Sequence, residues 1–382
     1  MAARVNASVL HGARDLRLES RDLPPLGPDD VQVAVKATGL CGSDLHYFGH
    51  FRNGDILVRE PLTLGHESAG VVTAVGSAST STFQVGDRVA LEVGQPCERC
   101  ELCVAGRYNI CREMKFRSSA KAVPHAQGTL QERITHPAKW CHKLPPSVTL
   151  EQGALTEPLA VALHALDRAR LTTPNQTVLV FGAGTVGLLC AALSKAVAGA
   201  RVVITDIQPD RVQFAVDNGF ADAAVVVPMT RPETVEAKLA FAREVAGLVK
   251  GTVVPGGKEG EVFGEVGVTY ECTGVETCLQ AAIYATAPGG RIMLIGMGNP
   301  IQTLPISAAA LREVDLVGVF RYANTYPRVI QLLASKDPKL PDFTKLITQR
   351  FTGLDSIPKA FDMAARVKDD EGKLVLKVMV DM

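Results

Sequence analysis

"TVLVFGAGTVGLLCAALSKAVA", residues 177–198, decides how this chain is read. An apolar β-like run ends at Phe181, then Gly182, Gly184 and Gly187 follow in G-x-G-x-x-G spacing, and an apolar helical stretch leaves them. The spacing alone says little in a chain with 34 glycines. Its context gives it meaning. The next apolar run, "RVVIT", ends at Asp206, nineteen residues after Gly187. Strand, glycine turn, helix, second strand and terminal acid together make a dinucleotide-binding unit. Gly182 then permits the tight turn, Gly184 lets the backbone approach a pyrophosphate, and Gly187 lets helix pack closely on strand. Unpaired N–H groups at the helix N-terminus face the phosphates. Asp206 accepts hydrogen bonds from the adenosine ribose hydroxyls and repels a 2′-phosphate, so NAD is expected in preference to NADP. Arg211, on a helix opened by Pro209, either stacks on the adenine or is a solvated helix residue.

Outward from this stretch the texture changes. From about 160 to 296 apolar strands ("RVVITD", "AAVVVP", "VTYECTG", "RIMLIGMG") alternate with helical segments, which marks βαβ units and a parallel sheet. Before about 155 the chain is rich in short β-like runs such as "VQVAVKA", "AGVVTAV" and "DRVALEV", broken by Gly and Pro. After 296 strand and helix mix again, and the last fifty or so residues are expected to return to the first domain. "VKGTVVPGGKEGEVFGEVG", 249–267, reads as a glycine-rich surface loop or short hairpin set before a strand.

At 382 residues the chain has room for two or more domains. Forty basic and forty acidic residues cancel, which gives no bulk reason to expect nucleic acid or an anionic membrane as partner. No apolar run is long enough to span a bilayer. The first twenty residues lack the apolar core of a signal peptide, and Asp15 and Glu19 argue against a mitochondrial presequence, so a cytoplasmic protein is expected.

Nine cysteines, an odd number in a chain expected in the cytosol, argue against a disulfide framework. Four of them, Cys97, Cys100, Cys103 and Cys111, fall in "CERCELCVAGRYNIC". Two short C-x-x-C steps and one distant return are what a closed tetrahedral zinc shell asks of a loop, and a closed shell is structural. A second set is scattered: Cys41, Ser43, Asp44 and His46 in "GLCGSDLH", His66 and Glu67 in "TLGHESAG", Glu157 in "LTEPLAV". One thiolate, one imidazole and one carboxylate would leave a metal an open position. Spacing alone does not connect 41, 66 and 157, and a lone cysteine is ordinarily a small core hydrophobe.

Taken in order, "GLCGSDLHYF", "LGHESAGVVTAVG", the four-cysteine loop, "EPLAVALHAL", "GAGTVGLL" and "GVFRYANTYP" resemble the zinc-containing medium-chain dehydrogenases, most closely their sorbitol (polyol) dehydrogenase branch. The resemblance spans nearly the whole chain. It implies an α/β protein: a GroES-like, mostly-β catalytic domain from residues 1–157, a doubly wound Rossmann domain over 158–298, and a segment 299–382 that ends the Rossmann sheet and returns to the catalytic domain. The active site would lie in the cleft between them. Cys41 and His66 become ligands of a catalytic zinc, with Glu67 or Glu157 as the carboxylate, and Asp44 supports a ligand. Ser43 and His46 resemble a hydroxyl-to-imidazole proton relay. Val186, Cys272, Thr273, Gly296 and Arg321 join Gly182, Gly184, Gly187, Asp206 and Arg211 at the cofactor.

The implied reaction is hydride transfer from a polyol of the sorbitol, xylitol or L-arabinitol type to NAD⁺, giving a ketose. A secondary alcohol, 2,3-butanediol or threonine dehydrogenase on the same scaffold is the alternative. Ser43, Tyr47, Phe116, Glu157, Arg321 and Tyr322 match substrate positions; an arginine and two phenols suit a hydroxyl-rich chain. A homotetramer is implied, and a dimer could form by pairing sheet edges. Two stretches depart from the family pattern: "FRSSAKAVPHAQGTLQE" after residue 115, at the pocket rim, and the glycine-rich insert at 251–266, which could touch the adenosine end of the cofactor or only decorate the surface.

Overall fold

The computed structural model describes residues 3–171 and 176–382. Two units divide them: Met1–Ala160 with Ala323–Lys336 and Phe343–Met382, and Val161–Tyr322 with Asp337–Asp342.

In the first unit the strands carry alternating or fully apolar patterns, as a sheet with one or both faces covered requires. The elements that matter for function are β1 (Asp30–Gly39), α1 (Gly42–His50), β2 (Glu67–Val75), β3 (Arg88–Leu91), β4 (Arg133–Pro137) and β5 (Cys141–Lys143). α2 (Leu150–Ala169) follows them and runs across the boundary between the units. The sheet orders β5-β3-β2-β1 and continues into two strands near the C-terminus, Lys377–Asp381 and Ile347–Thr352, with β4 also pairing β1. Register decides the chemistry. Gly39 at the end of β1 pairs Glu67, the first residue of β2, and also Met379. The residues flanking these three points therefore meet at one end of the sheet, although 310 positions separate Glu67 from Lys377. Behind them lies an apolar cluster that includes Leu10, Leu40, Phe48, Leu130, Phe361 and Val380. Phe48 and Phe361 stack with ring centroids 4.9 Å apart.

In the second unit, β6 (Thr177–Phe181), α3 (Thr185–Ala198), β7 (Arg201–Asp206), α4 (Pro209–Asp217), β8 (Ala223–Val226), α5 (Val235–Lys250), β9 (Val266–Glu271), α6 (Glu276–Ala285), β10 (Thr286–Leu294) and β11 (Asp315–Gly318) follow one another. The sheet orders β8-β7-β6-β9-β10-β11 with every pairing parallel. That is the doubly wound Rossmann order, reversing direction between β6 and β9, where such sheets bind nucleotides at their C-terminal ends. Val, Ile and Phe on β6, β7 and β10 pack against Ala242, Val245 and Ile283 of the helices.

The 251–266 insert is a short hairpin joined by the Val253–Val262 bridge. It buries Val254 and Phe263 in this core, and its Glu261 bonds Arg201, the first residue of β7. Asp206 is the last residue of that strand. Five strand steps, about 16 Å, separate the two ends. The insert thus covers the N-terminal end of the sheet, and the contact with the adenosine end considered from the sequence is not made.

Candidate active site

The four-cysteine lobe is a local product of its sequence. Cys97–Cys103 sulfurs stand 3.9 Å apart, Cys100–Cys103 3.5 Å and Cys100–Cys111 4.0 Å. A tetrahedron with Zn–S bonds near 2.3 Å has edges of about 3.8 Å, so the four thiols already frame a zinc-sized hole, and all are free thiols. Backbone N–H groups of Arg99 and Cys100 draw the Cys97 thiol down to about 7, while burial and the neighbouring thiols push Cys103 up to about 12. The lobe fits a structural zinc.

At the sheet end described above, one ligand atom each from Cys41, His66 and Glu67 lie within 4.8 Å of one another. Cys41 caps α1, and the Asp44 carboxylate returns to the Cys41 N–H at 3.2 Å, which fixes the turn. Asp44 is fully buried. Its Oδ1 accepts from His66 Nδ1 (3.2 Å), Gly65 N (3.1 Å) and Ser118 Oγ (2.6 Å). That bond fixes the proton on Nδ1 and leaves Nε2 for a metal. Burial pushes the Asp44 carboxyl up, but the His66 charge and these hydrogen bonds outweigh it and hold it below its ordinary value. For His66 burial acts downward, and the charges of Asp44 and Cys41 overcome it, so the imidazole is held well above its usual range.

Glu67 is gripped by a residue the sequence reading missed. Lys377 Nζ lies 2.7 Å from both Glu67 oxygens and donates to the Leu40 carbonyl at 3.0 Å. Burial lowers the Lys377 pKa, yet Glu67, Cys41 and Glu157 raise it more. A Cβ at position 39 would overlap Glu67 Oε2, so Gly39 leaves the space this carboxylate fills. Each oxygen keeps a lone pair beyond its bond to lysine. A half-buried sulfur, a buried imidazole nitrogen and a buried carboxylate, mutually close, suit a three-ligand zinc with a free position. Glu157, buried on α2, stands outside the 4.8 Å group and acts at Lys377.

Ser43, His46, Phe116 and Tyr47 lie in the first unit with this centre, and Arg321 and Tyr322 lie in the second. Ser43 Oγ is 3.5 Å from His66 Nε2. His46 is exposed on α1, 6.2 Å from the His50 ring, and is not hydrogen-bonded to Ser43. The Phe116 ring is 5.6 Å from that of His66. Tyr47 is buried in the apolar cluster, its hydroxyl accepting from Ala120 N at 3.3 Å. Arg321 has a left-handed backbone (φ 53°) with its guanidinium 4.7 Å over the Phe320 ring, and Tyr322 is buried. The loop after Phe116 is a buttress: Ser118 serves Asp44, and the His125 ring accepts from Arg59 N and donates to Ala122 O.

In the second unit Gly182 is left-handed (φ 94°), and a Cβ at Gly187 would overlap the Gly182 carbonyl. Gly184 caps α3 and faces open space. Val186 lies in the first turn of α3. Asp206 accepts from Ala183 N at 2.8 Å and Gln208 N at 2.9 Å, and Arg211 lies in the first turn of α4. Cys272 and Thr273 follow β9, and a Cβ at Gly296, just past β10, would overlap Gly274 N. These residues share the C-terminal end of the sheet.

Residues 27–146 match the alcohol dehydrogenase GroES-like domain and residues 185–335 the zinc-binding dehydrogenase domain. The chain belongs to the zinc-binding medium-chain alcohol dehydrogenase family, as an NAD(P)-dependent enzyme with a structural four-cysteine site and a Cys/His/Glu catalytic-type site. It is 41% identical to a sorbitol dehydrogenase of Gallus gallus over 97% of this chain and 96% of that one. It is 38% identical to an L-idonate 5-dehydrogenase of Vitis vinifera over 98% and 94%. The structure of a 2R,3R-butanediol dehydrogenase from Bacillus subtilis superposes with a TM-score of 0.78 at 27% identity, over 99% of both chains. Among the described residues no helix is long and apolar enough to cross a membrane.

Proposed function

We propose that the protein oxidises a polyol of the sorbitol, xylitol or L-arabinitol class to a ketose with NAD⁺. The carrying observation is the cluster of half-buried Cys41 with buried His66 and Glu67 in a chain alike to sorbitol dehydrogenase over nearly its full length. When bound, zinc lowers the pKa of a substrate hydroxyl and the nicotinamide accepts hydride. The chain's own residues do the rest. Cys41, His66 and Glu67 hold the metal, with Glu157 in reserve as a carboxylate beyond the cluster. Asp44 keeps the His66 proton on Nδ1. In this reading the Ser43 hydroxyl, 3.5 Å from His66 Nε2, accepts the substrate hydroxyl proton as it releases its own, and solvent carries that proton to exposed His46, which shares no hydrogen bond with Ser43. Phe116 and Tyr47 shape the pocket, and Arg321 and Tyr322 bind the remaining hydroxyls.

Gly182, Gly184, Val186 and Gly187 seat the pyrophosphate, with Cys272, Thr273 and Gly296 beside the cofactor. Asp206 selects NAD over NADP, and Arg211 flanks the adenine. Assembly as a dimer or homotetramer is supported by the β11 edge, unpaired among the described residues, with exposed Leu316, and by exposed Ile301 and Leu311 in the segment that leads to it. Nine free thiols suit the reducing cytoplasm.

The second reading, a butanediol or related secondary alcohol, is favoured by the likeness to the Bacillus butanediol dehydrogenase. Reduction of NAD⁺ followed at 340 nm on sorbitol, xylitol and L-arabinitol against 2,3-butanediol and threonine separates them. Turnover of a polyol with the higher kcat/KM supports the first reading; turnover of butanediol or threonine without any polyol overturns it.

A further inference from the structure

Two non-glycine residues within four, Arg321 (φ 53°) and Asn324 (φ 60°), adopt the left-handed region that side chains resist. For Asn324 the restraint is visible. Its backbone N–H donates to Tyr108 Oη at 2.7 Å, and its side-chain Nδ2 donates to the Gly106 carbonyl at 2.8 Å. Both partners sit inside the four-cysteine lobe, between Cys103 and Cys111. Tyr108 is itself fixed: its hydroxyl donates to Glu92 Oε1 at 2.7 Å, and its ring lies 5.1 Å from that of Trp140. The other Glu92 oxygen meets His142 Nε2 at 2.7 Å. The His142 ring lies 5.1 Å from that of Tyr326, whose hydroxyl donates to the Leu91 carbonyl at 2.8 Å. Burial, and then the Glu92 charge, push the Tyr108 hydroxyl above its ordinary value, so it remains a donor. Residues 324–326 are thus tied at three points, two of them to the lobe.

We propose that Tyr108 and the Gly106 carbonyl form a positioning clamp through which the four-cysteine lobe sets the backbone at Asn324, and with it the adjoining backbone that carries Arg321 and Tyr322, the residues the polyol reading gives to the substrate. The lobe's metal then does more than stabilise the fold. Cys103 and Cys111 bracket the clamp, so ordering them orders the hydroxyl and carbonyl that Asn324 requires. The consequence for substrate rests on the polyol reading above; the clamp itself does not.

Tyr108→Phe keeps the ring on Trp140 and removes the one oxygen that joins Asn324 to Glu92. In the zinc-loaded full-length protein, hydrogen–deuterium exchange over residues 321–326 is expected to speed up about tenfold, the loss of one good hydrogen bond. KM for the polyol is expected to rise about five- to tenfold with kcat within about twofold. Asn324→Gly, which tolerates the left-handed backbone and deletes only the bond to Gly106, is expected to give the smaller change, about two- to threefold in exchange. Unchanged protection of 321–326 in folded Tyr108→Phe protein that retains both zincs overturns the clamp. A fall in kcat with KM unaltered overturns the link from the clamp to substrate binding. Should Tyr108→Phe not fold, Asn324→Gly decides, and protection equal to that of the parent overturns the proposal. Exchange needs no substrate, so a failure of the polyol reading leaves this test intact and is seen separately in the turnover panel.

Discussion

Asp44→Asn replaces one oxygen by an NH₂ group of the same size, in a site with no room to rearrange. Asp44 accepts three hydrogen bonds on Oδ1 and one on Oδ2. An asparagine has one oxygen. If that oxygen keeps the side facing His66, Gly65 and Ser118, its amide points at the Cys41 N–H, donor against donor. Leaving a buried donor unsatisfied costs about 1–3 kcal/mol. The oxygen that remains is neutral, so His66 also loses the negative partner that raises its basicity. Loss of such a partner weakens metal binding about 10–100-fold, or about 1.4–2.8 kcal/mol. Competition with a chromophoric chelator reads this directly. The four-cysteine lobe should hold its ion as in the parent, and the other should be released 10–100-fold more readily. An affinity within twofold of the parent, in protein with an unchanged circular dichroism spectrum, would refute the role given to Asp44.

Lys377→Met leaves the Glu67 carboxylate buried without its cation, which should destabilise the metal-free protein by about 3–5 kcal/mol. Zinc supplies Glu67 with another cation, so the loss should shrink in the loaded form; equal shifts of the urea midpoint in both forms would contradict the shared carboxylate. Because the His66 pKa is raised, its proton competes with the metal up to that raised value, so zinc affinity at this centre should fall at least tenfold per pH unit as pH drops below it. The metal-free fold has the opposite dependence: the His66 contribution is full below about 6.5, the unfolded value, and is lost as pH rises through the folded one, which urea midpoints across pH will read. Asp206→Ala removes the repulsion toward a 2′-phosphate and should move the NAD⁺/NADP⁺ ratio of kcat/KM by about 100-fold toward NADP⁺; an unmoved ratio counts against Asp206 as the selector.

How far the sequence carried depended on distance along the chain. The four-cysteine lobe spans fifteen residues, and the glycine turn is fixed by the strand and helix on either side, so both were legible from spacing. Cys41, His66 and Glu67 were joined only by family likeness, because the contact is made by the pairing of Gly39 with Glu67, which no local pattern announces. Spacing and likeness left Glu67 and Glu157 as equals; the sheet register brings only the former into the cluster. Lys377 was missed altogether. Its one signal was a charge inside the apolar run "KLVLKVMV", and its partner lies 310 positions away. The insert at 251–266 was visible as glycine-rich, but which end of the sheet it covers depends on where Glu261 finds Arg201. Tyr108 and Asn324, 216 positions apart, meet only in the fold.

Diffraction recorded at the zinc absorption edge will locate both ions without reference to activity. Two anomalous peaks are predicted per chain, one among Cys97, Cys100, Cys103 and Cys111, the other about 2.0–2.3 Å from Cys41 Sγ and His66 Nε2 with a Glu67 oxygen at hand. A fully loaded crystal with density only in the four-cysteine lobe, or with the second ion bound away from Cys41 and His66, would contradict the account.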